Sequence, residues 1–389
     1  MTQIKVARFT GPSKESPLTI GTAEKPTPGP KDVLVKVHAC NVVPNTANML
    51  TNTESLPEGF YIAMDPIAFG LDASGTIEAV GEHVLNLKVG DRVYVDPYLT
   101  CDTCQACRRG KQIIQIEVDQ SAEQTGRADL CPAGALRAYF ATSEQGKRTL
   151  ERYPLGGMSE YLLSPDANIV VLPDSVDLDT AARFGYIGTS FGALRKGGVG
   201  PASTVLINGV TGTLGYAAVA IALGFGATKI LGVGRNPDRL KEVASLGKNV
   251  VVASSEEESD MAAWVKKNTN GLGPDVLIDC LGVGGKADTT MNLIRSVKRG
   301  GKAILVAGGA EGEVSQTYIE AMMHEVAIIG SNWFKTGEID DLVSMMDAGL
   351  IDFSFLQHKS FSLDQANEAI KFVGDRPGGS VNVLVKPGN

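Results

Sequence analysis

The run Thr204-Val205-Leu206-Ile207-Asn208-Gly209-Val210-Thr211-Gly212-Thr213-Leu214-Gly215 decides how this chain folds. Its first four residues are β-branched or aliphatic, the composition of a strand buried on both faces of a parallel sheet. Three glycines at intervals of three follow, and residues 216–223 form an alanine-rich helical segment. Residues 229–233 read as a second strand, so the glycines belong to a βαβ unit and not to an arbitrary loop. In that setting Gly209, Gly212 and Gly215 let the backbone turn sharply, approach a pyrophosphate and pack the helix on the sheet. The helix amides then face the phosphates, and the turn, with Thr211, Thr213 and Leu214, is expected to bind a dinucleotide.

The end of the second strand bears on which dinucleotide. An NAD site places an Asp or Glu there to accept from the ribose hydroxyl. Here the text is Val233-Gly234-Arg235-Asn236-Pro237-Asp238-Arg239. Gly234 leaves that place open, and Arg235 offers a planar fork of donors to a 2′-phosphate, with Arg239 one helical turn further on. NADP(H) is the expected cofactor. The other reading makes the arginines surface charges and gives Asp238 to NAD.

Outward from this unit, the text before residue 172 consists of short alternating strands at 32–39, 75–81 and 89–95 with frequent glycine and proline, a β-rich domain such as an open barrel. After about residue 177, strands near 204, 229, 250, 276 and 303 alternate with helical segments, the pattern of a doubly wound parallel sheet. Amphipathic helices at 337–349 and 363–373 precede a last strand at 380–385. The expected α/β organisation is therefore 1–177, a β-rich domain; 178–325, a Rossmann domain; and 326–389, a return to the first. Glu256-Glu257-Glu258 reads as a solvated helix start.

The chain has 389 residues, enough for two cores. With 44 acidic against 36 basic side chains and a net charge of -8, it lacks the positive excess that nucleic-acid binding requires. No uncharged apolar run reaches the length of a membrane span, and Met1-Thr2-Gln3-Ile4-Lys5 begins a strand and not a signal peptide, so a cytoplasmic protein is expected. Four of the six cysteines cluster, which favours a metal over a disulfide framework. Cys101-x-x-Cys104-x-x-Cys107 is a thiolate-metal signature, and structural zinc requires a fourth ligand. An iron-sulfur cluster and a lobe without metal are the alternatives.

Together with the glycine turn, Asp32-Val33-Leu34-Val35, Gly70-Leu71-Asp72-Ala73-Ser74-Gly75, Val89-Gly90-Asp91-Arg92-Val93 and Ala366-Asn367-Glu368-Ala369 make the chain resemble the medium-chain dehydrogenase/reductase superfamily. That superfamily pairs a catalytic domain resembling GroES with a Rossmann domain, and the resemblance implies a homodimer acting on a small molecule. The wording Gly-x-x-Gly-x-x-Gly is closer to its quinone oxidoreductase and enone reductase branches. The resemblance puts Val43 and Leu71 where zinc alcohol dehydrogenases carry a Cys and a His ligand, Asp72 on the following acid and Gly185-Tyr186 where a later ligand would fall. Valine and leucine cannot donate to a metal, so a catalytic zinc is expected to be absent, with Cys40 a buried apolar residue. For the structural lobe, the resemblance places the fourth ligand at Gln115 or, across an insertion spanning 111–157, on Cys131. Structural zinc is accordingly expected on Cys101, Cys104, Cys107 and Cys131.

The resemblance also places Asn45, Asp72 and Tyr186 at the nicotinamide, with Tyr186 as a proton donor. Without a Lewis acid, the expected reaction is hydride transfer from NADPH to an activated C=C of an enone or enal, or to a quinone, whose charge spreads into an enolate or phenolate. The alternatives are a zinc-independent carbonyl reductase or alcohol dehydrogenase using Tyr186 or Asp72, and a nucleotide-binding protein without turnover.

Overall fold

Six short apolar strands form a wholly parallel sheet in the order Val250–Ser254, Lys229–Gly234, Thr204–Asn208, Val276–Asp279, Lys302–Leu305 and Ala327–Gly330. In this computed structural model, which describes residues 2–13, 15–51, 59–110 and 130–388, helices cover both faces of that sheet. Chain order reverses between Thr204–Asn208 and Val276–Asp279, and a crevice opens there beyond the strands' carboxyl ends. The five strands read from sequence all form. A sixth, Ala327–Gly330, joins the edge, and the helix Thr336–Asp347 buries Ile339, Leu342 and Val343 in the core that also holds Phe184 and Phe191. The cofactor domain thus continues past the expected boundary at 325, because this strand and helix bury their apolar faces on its sheet.

The first domain is organised on the ten-residue strand Asp32–Asn41, which pairs antiparallel with Ala73–Val80, Tyr161–Pro165 and Val381–Lys386 within a seven-stranded sheet. Gln357–Ser362 lies parallel to the last strand. The C-terminal chain thus adds two strands to the sheet of Asp32–Asn41, and residues 376–380 run between that sheet and the glycine turn. Of the insertion, residues 111–129 lie outside the described residues. Its later part supplies Ala135–Leu136 and Phe140–Ala141 to a small sheet with Tyr61–Ile62 and Tyr98–Leu99, and the helix Glu144–Arg152 packs beside it.

Two smaller points complete the frame. Glu256 to Glu258 occupy a turn, not a helix start; the helix Met261–Asn268 begins later because the Asp260 side chain accepts from the Ala263 amide at 2.9 Å. Among the described residues no helix is long and apolar enough to cross a membrane.

Candidate active site

The crevice at the strand-order reversal is a cleft of about 590 Å³ whose walls come from both domains. Its floor is the glycine turn. Gly209 has φ +73°, a left-handed conformation that costs a side-chain-bearing residue strain, and the amides of Gly209 and Val210 both donate to Val233 O at 2.9 and 3.0 Å. Gly212 then caps the helix Thr213–Gly224 without any side-chain acceptor, so the first-turn N–H groups are left for a ligand. Gly215 is required for packing, since a Cβ there would overlap Gly209 O. At the strand end, Asn208 donates to Asp279 Oδ1 at 2.7 Å while Thr290 donates to its other oxygen at 3.1 Å, which ties the two strands at the reversal.

Every residue expected at the cofactor lines this cleft except Gly215, which packs beneath it. Arg235 and Arg239 stand on the far wall with Gly234. Asp238, the alternative ribose acceptor, faces outward instead: its carboxylate pairs with Lys241 at 2.9 Å, is 88% exposed and does not line the cleft.

Tyr186 and Asn45 line the opposite end. Tyr186 packs on an apolar cluster that contains Val43, Leu71, Cys40 and Tyr139. Burial, and after it the nearby Asp72 charge, hold its phenol well above the ordinary tyrosine range, against the lowering effects of the Asn45 backbone and Arg183. Asp72 lies below the cleft surface and is fully buried. Its Oδ1 accepts from Tyr94 Oη at 2.8 Å, and Oδ2 lies against the Gly185 backbone without a well-formed hydrogen bond. Burial pushes this carboxyl up to about 7, against the lowering effect of Tyr94, and the buried Asp96 adds to the rise. Two residues missed by sequence reading complete the group: Tyr94, and Tyr139, whose hydroxyl is 3.4 Å from Thr46 Oγ1. Neither sits in a motif; only the fold brings them to Asp72 and Asn45.

This end of the cleft does not fit a metal. Val43 and Leu71 are buried in the apolar cluster, and the Asp72 carboxyl fills the space a side chain at 185 would need. Zinc requires several N, S or O donors, and one acid already hydrogen-bonded to a tyrosine cannot replace them. The cysteine lobe is different. Cys101, Cys104, Cys107 and Cys131 bring their sulfurs within 4.8 Å of one another, and Cys104–Cys107 and Cys131–Cys101 Sγ distances are 3.5 Å. Amides of Cys101 and Cys107 donate to Cys131 Sγ and Cys104 Sγ at 3.4 and 3.5 Å. A tetrahedral zinc with Zn–S near 2.3 Å has edges of about 3.8 Å, so this donor set fits structural zinc. Gln115, the other candidate for the fourth place, lies outside the described residues.

Two family models match in tandem, "Alcohol dehydrogenase GroES-like domain" over residues 29–174 and "Zinc-binding dehydrogenase" over 213–348. The chain belongs to the medium-chain dehydrogenase/reductase superfamily. Among its relatives, sorbitol dehydrogenase of Bacillus subtilis is 26% identical over 374 residues, covering 95% of this chain and 94% of the relative. L-idonate 5-dehydrogenase of Vitis vinifera is 28% identical over 307 residues, covering 78% and 74%. The alcohol dehydrogenase of Thermus sp. ATN1 superposes with a TM-score of 0.78 at 23% identity, covering 98% of this chain and 99% of that one, and shares the fold.

This superfamily member is an oxidoreductase. The relatives act on alcohols and carbonyls, which overturns the expected reduction of an enone, enal or quinone. The reason for the error is physical: the spacing of glycines in the turn answers to a pyrophosphate and carries no information about what accepts the hydride at the other end of the cofactor.

Proposed function

We propose that this protein is an NADP(H)-dependent dehydrogenase that interconverts an alcohol and its carbonyl without a metal at the hydride-transfer position. The observation that carries the cofactor assignment is charge. Arg183, Arg235, Arg239, Lys286 and Arg376 line the cleft, no acidic residue among the described ones does, and the chain as a whole carries -8. A cleft this basic in an acidic protein suits a dinucleotide with an extra phosphate. For the substrate, the relatives that act on sorbitol and L-idonate favour a polyhydroxylated compound. Asn45 and Asn48, one turn apart on the helix Pro44–Thr51 and both on the cleft wall, present carboxamides of the kind that bind hydroxyl groups.

Bound nicotinamide would supply or accept the hydride. Tyr186 holds a proton on its hydroxyl at neutral pH and can give it to the carbonyl oxygen as charge develops there, which favours the reductive direction. The Asn45 backbone holds the phenol by a hydrogen bond, and the nearby Asp72 acts on it through charge alone. Zinc in the cysteine lobe is structural in this reading, since four thiolates leave no open coordination position. A second copy is expected on the cofactor-domain edge, where Ala327–Gly330 has one unpaired side. The neighbouring helix Tyr318–His324 leaves Tyr318, Ile319, Met322 and Met323 exposed there.

The test is a steady-state assay with NADP+ and NAD+ across polyols and the corresponding ketoses, on wild type and Tyr186→Phe. NADP(H) should be used at least about tenfold more efficiently than NAD(H), and Tyr186→Phe should lower kcat by about 100-fold while the KM for NADP(H) holds. Turnover of no alcohol or carbonyl, or full activity in Tyr186→Phe, would sink the reading.

A further inference from the structure

The segment 376–380 connects the helix Ala366–Gly374 to the last strand of the catalytic domain, yet most of the polar contacts it makes are with the cofactor side. The Gly379 amide donates to Thr211 O in the glycine turn at 3.0 Å, and a Cβ on Gly379 would press on Gly212 O and Tyr216. From below, the fully buried Arg183 donates to Gly379 O and Val381 O at 2.5 and 3.0 Å. The segment is thus seated against the phosphate turn from the opposite domain.

Arg376 begins it. Its backbone is left-handed, with φ +53°, an arrangement that persists in a residue with a side chain only where the surroundings fix it. What fixes it is the cofactor domain. Arg239 Nη2 donates to Arg376 O at 2.9 Å, and Arg376 Nη2 donates to Val283 O at 3.0 Å across the cleft. Gly378, with φ +117°, leaves room for the Arg239 side chain, whose Nε is 3.2 Å from where its Cβ would be. The Arg239 guanidinium thus holds the Arg376 backbone, the Arg376 guanidinium has one N–H of five on Val283 O, and both arginines line the same cleft as Gly234 and Arg235.

We infer that Arg376 completes an adenosine 2′-phosphate site across the two domains, joining Arg235 and Arg239 on the same dianion. The inference rests on the NADP(H) reading and adds to it a residue that no cofactor-domain motif contains. Because the phosphate would draw a catalytic-domain arginine toward a cofactor-domain helix, the site reads the cofactor's identity only when the cleft is closed at this end. Arg376 contacts neither the turn that receives the pyrophosphate nor the nicotinamide end, so its contribution is confined to nucleotides that carry the 2′-phosphate.

Calorimetric titration of the full chain with adenosine 2′,5′-bisphosphate and, separately, with 5′-AMP tests this without turnover. Wild type should bind the bisphosphate more tightly. Arg376→Ala should lose about tenfold or more in affinity for the bisphosphate, as expected for a charge-assisted bond, with 5′-AMP affinity unchanged. Arg376→Lys, which keeps the charge but not the fork, should fall between, and the 5′-AMP titration shows that each variant is folded. Equal loss for both nucleotides, or no loss for either, would overturn the role of Arg376 and leave the cofactor reading standing. A wild type without preference for the bisphosphate would remove the cofactor reading itself.

Discussion

Asp72 is the residue on which the buried end of the site turns. A carboxyl raised to about 7 is harder to ionise in the folded chain than in the unfolded one, where it titrates near 4. Its contribution to stability is therefore fully present below about pH 4 and is lost as pH rises through about 7. Asp96, raised to about 6 chiefly by burial, has the same sign, whereas Asp179, held to about 2 by His38 and Lys386 against its burial, acts only in acid. Asp72→Asn keeps the shape and can still accept from Tyr94 Oη while removing the charge. The variant should lose less stability than wild type between pH 5 and pH 8, by roughly 2–3 kcal/mol, in denaturant titrations at the two pH values. Groups that titrate in both proteins cancel in that comparison. Parallel pH dependences would show that Asp72 is already ionised at pH 5. The residue's place in a motif identified it, but its acidity could not be read from sequence, because Tyr94 and Asp96 reach it from one distant segment and Gly185 from another.

At the level of elements, the glycine turn and its flanking strands were readable because local chemistry dictates them: an apolar run, a φ that only glycine adopts easily, and a helix of alanines. Gln357–Ser362 was missed for the opposite reason. It is a largely exposed edge strand whose side chains are polar apart from Phe361, so it lacks the alternation that marks a half-buried strand. The turn itself separates two uses of glycine. A Cβ at 215 would overlap Gly209 O, whereas a Cβ at 212 would stand 3.3 Å from the same oxygen. Gly215→Ala should accordingly lower the stability of the cofactor-free protein by about 1–3 kcal/mol and weaken NADP+ binding with it. Gly212→Ala should leave the cofactor-free protein nearly unchanged and weaken NADP+ binding alone, through closer crowding of the pyrophosphate. Thermal unfolding with and without NADP+ distinguishes them. Equal destabilisation of both cofactor-free variants would mean that Gly212 serves packing as Gly215 does.

Across the whole molecule, the two possible metal positions have come apart. The end of the cleft at Tyr186 packs on valine, leucine and a buried acid, while four cysteines gather in a lobe none of whose described residues line the cleft. Cys131 was legible as a ligand only through the superfamily resemblance, since 23 residues of intervening sequence separate Cys107 from it and only the fold closes that gap. The separation makes stability and activity respond differently to metal. Purified protein should carry about one zinc per chain, and Cys131→Ser should lose it, with stability falling by roughly 4 kcal/mol or more. The remaining folded fraction should keep its kcat, because the lobe holds a loop and touches neither nicotinamide nor substrate. Elemental analysis, thermal unfolding and a steady-state assay on the same preparations decide the matter. If mild chelation instead abolished hydride transfer before any loss of folded protein, the metal would have to act at the cleft, and a reaction carried by Tyr186 alone would fail.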